Sequence, residues 1–199
     1  MTPVPRLPTT RERALWRAVE SRGLGTYGLG RGHGNDPRAK SVLGPLGLID
    51  CSNAVHYWIG SVLDQEPFGG LYLNTDGLVR DAFGILIGDS AEAPRREPPR
   101  RTSVRPLEDG EPVLPCDLVV RRGVYEWVTR RWVRKAPGHV ELVSQVLPGY
   151  DRERHIATAD KLLAIGAALR GGEPPSIRET DCWDLRHAYL VRYLHFVGE

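Results

Sequence analysis

The sequence predicts an α+β domain: helices first, then a mainly antiparallel sheet, in one unit spanning residues 1–199. Three observations carry this. Apolar residues recur at helical spacing in two early segments, near residues 14–19 and 51–63. From Val113 onward the texture changes to short β-branched and aromatic runs. Pro-Gly pairs at 137–138 and 148–149 punctuate those runs as turns do.

Residues 1–8 carry three prolines and form a loose arm. Thr9 and Glu12 have the spacing of a capping box, so a helix starts there. Ala14, Leu15, Trp16, Ala18 and Val19 supply its apolar face. Next come Gly23, Gly25 and Gly28, which formally fit a GxGxxG pattern. A dinucleotide fingerprint needs a strand before it and a helix after it. Here a helix precedes, so a loop passing close to a site, with Tyr27 aimed into it, is the better reading. Asn35-Asp36-Pro37 marks a turn.

A second helix is predicted from Cys51 to about Leu63, capped by Asp50, with Ala54, Val55, Trp58, Ile59 and Val62 as its apolar side. Pro67-Phe68-Gly69-Gly70 ends it. Leu78, Val79, Ala82 and Phe83 suggest a short helix, and Ile85-Leu86-Ile87 a strand. Residues 91–106 hold four prolines and the arginines Arg95, Arg96, Arg100, Arg101 and Arg105. A solvated loop fits this Pro/Arg-rich insertion better than a nucleic-acid patch, because no aromatics are interleaved for stacking.

Strands are predicted over Asp117–Val120, within Val124–Val133, over His139–Val146 and over Arg154–Thr158. Asp160–Leu169 reads as a helix, ended by Gly171-Gly172. The tail, with Trp183, Tyr189, Leu190, Val191, Tyr193, Leu194 and Phe196, completes the core.

Composition narrows the function classes. Hydrophobic residues make up 41% and charged residues 26%, ordinary for a globular domain. A net charge of +2 demands neither nucleic acid nor a membrane surface as partner. No run is long and apolar enough to span a bilayer, and the first residues lack the apolar core of a signal peptide. The expected localisation is cytoplasmic as synthesised, with any export by a phage-type or injection-type route. Oligomeric state is not legible.

Cys51, Cys116 and Cys182 are too few and too odd for a disulfide framework. They show no C-x-x-C spacing, and the histidines no H-x₃-H spacing, so neither a metal nor a cofactor is expected. Cys51 is the cysteine with a chemical context. A helix start offers free N–H groups and a positive dipole end, which favour the nucleophilic thiolate. Such a nucleophile wants a histidine and a third polar group to orient it. His33, His56, His139, His155, His187 and His195 are available. His56 lies more than one turn along the helix of Cys51 and points elsewhere. His139 opens a strand after a Pro-Gly turn, and His155 opens the next one. Whether those two meet depends on a strand register that the sequence leaves open.

Five segments in order resemble the NlpC/P60 group of papain-like cysteine peptidases, with the CHAP amidases as near relatives. Tyr27-Gly28-Leu29-Gly30 is similar to the group's Tyr-x-x-Gly loop, and Asp50-Cys51-Ser52-Asn53 to its Asp-Cys-Ser-Gly helix start. Pro115-Cys116-Asp117-Leu118-Val119 matches a Pro-Gly-Asp-Leu-Val strand, Gly138-His139-Val140 a Gly-His-Val strand, and His155-Ile156-Ala157 the polar opening of the strand that follows. Asn53 and Cys116 stand where the group has glycine, and the stretch before Pro115 is longer.

The resemblance implies a papain-like fold with Cys51 as nucleophile, His139 as general base and His155 orienting the imidazole. It also implies that Tyr27, Asp50 and Ser52 line the substrate cleft. The implied reaction is hydrolysis of amide bonds in peptidoglycan stem peptides through an acyl-enzyme. The alternative is a non-catalytic papain-like module that binds cell-wall material or a protein partner.

Overall fold

A computed structural model of the protein describes residues 6–28, 48–63, 75, 78, 82, 104–121, 125–126, 131–132, 138–149, 162–167, 177–181 and 188–197. Helix α1 spans Thr10–Glu20. Thr9 caps it: its hydroxyl accepts the Glu12 N–H, and the Glu12 carboxylate accepts the Thr9 N–H at 2.7 Å. Ala14 and Ala18 are fully buried and Leu15 and Val19 partly so, but Trp16 is 62% exposed. Trp16 therefore leaves the predicted apolar face. At about 100° per residue, it falls some 200° around the helix from Ala14.

Strands β1 (Thr26–Tyr27) and β2 (Leu48–Ile49) form a short parallel pair that leads into helix α2 (Cys51–Gly60). The predicted helix start at Cys51 and the Asp50 cap are both observed. Thr75, Leu78 and Ala82 are helical and buried, in keeping with the short helix expected there.

The remaining strands are β3 (Val104–Pro106), β4 (Leu118–Arg121), β5 (Tyr125–Glu126), β6 (Arg131–Trp132), β7 (His139–Val146), β8 (Leu162–Ala167), β9 (Ile177–Asp181) and β10 (Ala188–Tyr193). Six of them build one antiparallel sheet in the order β3-β10-β4-β7-β8-β9, while β5 and β6 pair separately. The mixed α+β class is thus as the sequence predicts. The tail contributes β10, which lies between β3 and β4, and the turn Leu194–Phe196.

Two expectations are corrected. Asp160–Leu169 does not form a helix: Leu162–Ala167 is strand β8. Five of its six residues are buried, because the strand is covered on both faces. A short, nearly continuous apolar run fits helix and strand periods alike, and here the sheet decides. The Pro/Arg-rich insertion also ends earlier than residue 106, since Val104–Pro106 is an edge strand. The candidate strands at 85–87 and 154–158 lie outside the described residues.

Alternation along the strands sorts the core. Leu118, Val120, Val140, Leu142 and Ile165 pack with Ala54, Trp58 and Ile59 of α2. Val119, Val143, Leu162 and Ala164 form a second cluster with Leu107 and Val113. Each fully buried Val, Leu or Ile contributes about 1.5–3 kcal/mol. Strand β7 thus anchors the sheet to α2, and its first residue is His139. Among the described residues, no helix is long and apolar enough to cross a membrane.

Candidate active site

The Asp50 side chain organises the start of α2. Its backbone is extended (φ −106°, ψ 177°), and Oδ1 accepts the Asn53 N–H at 2.8 Å and the Ser52 hydroxyl at 2.9 Å. One carboxylate oxygen thereby ties down the first turn, and Cys51 is the first helical residue. Asp50, Ser52 and Asn53 are all buried, and Cys51 is 4% exposed. The Asn53 N–H belongs to this cap.

The glycine loop brings Tyr27 to the same place. Gly25 adopts φ +78°, a conformation glycine takes freely, and a Cβ there would stand 3.0 Å from Ile49 Cγ2. The close approach lets β1 pair with β2, with Tyr27 opposite Ile49 and the Gly28 N–H donating to the Ile49 carbonyl at 3.1 Å. Burial, then the nearby Cys51 and Asp50, push the Tyr27 phenol above its ordinary range.

Strand β7 brings His139 to the same place. Gly138 sits against the helix start, with its carbonyl 4.0 Å from Cys51 Sγ. The His139 side chain is 17% exposed, and its Nε2 lies 3.1 Å from Glu141 Oε1. Burial alone would lower the imidazole pKa. Hydrogen bonds with Cys51 and Glu141, reinforced by their charges, outweigh it and raise the value to about 9. His139 is therefore cationic at neutral pH.

Glu141 is 5% exposed, and its Oε2 accepts from Arg121 Nη2 at 3.1 Å. Arg121 is the register partner of His139 across β4 and β7. Glu141 was absent from the sequence-predicted set. Its signal was present: in a strand, His139-x-Glu141 puts both side chains on one face.

No family model matches the chain, nor does any curated protein or solved structure.

The described structure brings together Cys51, His139, Tyr27, Asp50 and Ser52. His155 lies outside the described residues, as do His33, His187 and Cys182. His195 is exposed beside the Tyr193 ring, and Cys116 is buried in the turn before β4. Among the described residues, no three His, Cys, Asp or Glu side chains are placed to hold a metal ion. The arrangement is a sulfur at a helix start, a cationic imidazole beside it and a buried carboxylate behind the imidazole. Chemically this can generate a nucleophile and pass a proton.

Proposed function

We propose that the protein is a papain-like cysteine hydrolase of the NlpC/P60 kind that cleaves amide bonds in peptidoglycan stem peptides. The observation that carries this reading is the meeting of two element starts: Cys51 opens α2, His139 opens β7, and the Gly138 carbonyl next to His139 lies 4.0 Å from Cys51 Sγ. A cationic imidazole beside the sulfur favours its nucleophilic form, and the helix dipole acts in the same direction.

Cys51 Sγ attacks the amide carbonyl carbon, and the carbonyl π electrons move to oxygen. The Cys51 N–H, at a helix start, is placed to receive that charge. His139 gives its proton to the departing nitrogen as the C–N bond breaks, leaving a thioester on Cys51. Water then attacks the thioester while His139 takes a proton from it, and the C–S bond breaks to release the acid product and restore the thiolate beside the protonated imidazole. Tyr27 borders the reacting carbonyl.

Cys116 gives further support. It occupies the glycine position of the resembled Pro-Gly-Asp motif and has φ +72°, the left-handed region that glycine favours. The backbone thus keeps the shape that the motif would need.

Release of soluble peptides from purified peptidoglycan tests the proposal. Wild type should release them and Cys51→Ala should not. Release by neither protein, with biological function kept in Cys51→Ala, would favour the non-catalytic binding module; equal release by both would show that Cys51 is not the nucleophile.

A further inference from the structure

A carboxylate buried in a sheet and held by an arginine needs a reason to be there, since burying charge is costly unless it is paired. Glu141 is 5% exposed. Oε1 meets His139 Nε2 at 3.1 Å and Oε2 meets Arg121 Nη2 at 3.1 Å. The neighbouring strand is shaped to admit it: a Cβ on Gly166 of β8 would stand 2.7 Å from Glu141 Cγ. Alternation on β7 and register with β4 place His139, Glu141 and Arg121 on one face of the sheet.

We infer that Glu141 is the positioning residue that orients the His139 imidazole, with Arg121 fixing the carboxylate and Gly166 leaving it room. This deepens the hydrolase reading, on which its purpose rests. It assigns to a residue on the histidine's own strand the task that the family resemblance gives to His155. A carboxylate on Nε2 favours a proton there, holds the ring in one orientation and stabilises the imidazolium that the chemistry needs.

Among the described residues, the charged and titratable groups around the imidazole are Cys51 from α2, Glu141 from β7 and Arg121 from β4. Asp50 and Tyr27 lie beyond the sulfur. Arg178 on β9, the register partner of Gly166, is exposed.

The test follows the His139 ring by NMR titration and the pH profile of Cys51 carboxamidomethylation in the full chain. Neither needs a substrate. In wild type the imidazole should titrate near 9. In Glu141→Gln, which keeps shape and removes charge, the midpoint should fall by at least ~1 unit towards the ordinary value near ~6.5. Alkylation at neutral pH should slow by about tenfold. Gly166→Ala keeps every ionisable group but displaces Glu141, and should move the midpoint the same way. Glu141→Asp should restore part of the shift.

A folded Glu141→Gln protein with the wild-type midpoint would overturn the inference. So would a fall in the midpoint seen in His155→Ala and not in Glu141→Gln. If Glu141→Gln does not fold, Gly166→Ala decides: an unmoved midpoint there also overturns it. Failure of the hydrolase reading looks different, because wild type would then release no peptide while the midpoint still shifts.

Discussion

The His139 imidazole has a raised pKa, and a pH dependence of stability follows from it. A histidine whose pKa rises on folding stabilises the folded state fully below its unfolded value near ~6.5. That contribution is lost as pH rises through about 9. Thermal denaturation between these limits should show wild type losing an increment of stability that His139→Gln does not lose. Cys116 offers a second residue-scale prediction. Its left-handed backbone costs about 1–2 kcal/mol, while its buried side chain packs and Sγ donates to the Arg11 carbonyl at 3.1 Å. Cys116→Gly should therefore change unfolding free energy by only about 1 kcal/mol, since the two effects oppose each other. The positions of Cys51, His139 and Tyr27 were legible because each follows from local chemistry: a cap, a turn and a glycine loop. Glu141 was less so, because its importance depends on Arg121 across the sheet and on the space over Gly166.

Two elements hold the site, α2 and β7, and each has a clear sequence signature. The Asp50 cap secures the first: Asp50→Ala should cost about 1 kcal/mol in denaturant unfolding and loosen the turn that carries Cys51. Helix α2 is also tied to the end of α1. The Trp58 indole N–H donates to the Ser21 hydroxyl at 2.7 Å, and Ser21 itself donates to the Arg17 and Ala18 carbonyls. Ser21→Ala would leave a buried indole N–H without that acceptor and should cost about 1–3 kcal/mol, measured the same way. Sequence reasoning missed β3, β8 and β9, and β8 is the one it read as a helix. Leu162, Leu163, Ile165 and Ala167 satisfy a helical stripe, but tertiary pairing with β7 and β9 overrides it. Gly166 within that run is better explained by a close approach in a sheet than by a helix interior.

For the molecule as a whole, the far side of the sheet from α2 is locked by a network of buried charge that no local pattern announces. Arg192 on β10 grips Asp117 through Nε and Nη2 at 2.8 and 2.7 Å and also pairs with Glu111. Arg105 on β3 holds the same Glu111, and Arg11 of α1 reaches Asp117 and the Phe196 carbonyl. The network joins α1 and β10 to β3 and the turn before β4, with partners up to 185 residues apart. Removing one partner strands a buried charge, so Asp117→Ala should cost roughly 3–5 kcal/mol. The Arg105 hydrogen bonds, against a smaller opposing effect of burial, hold the Glu111 carboxyl down at about 2. Its contribution is present above the ordinary carboxylate range and is lost as pH falls through about 2. Acid unfolding of Glu111→Gln should therefore be less steep than that of wild type. The α+β class could be read from period and turns, but the insertion of β10 between β3 and β4 could not.

The central claim is that Cys51 is an activated nucleophile, and its rate of alkylation tests that most directly. Cys51 is 4% exposed and Cys116 fully buried, so accessibility alone predicts that both react slowly. Intact-mass measurement with iodoacetamide at neutral pH, followed by peptide mapping, should show Cys51 modified at least ~10-fold faster than Cys116 or Cys182. If Cys51 reacts no faster than the other two, the site holds an inert buried thiol and the account is wrong.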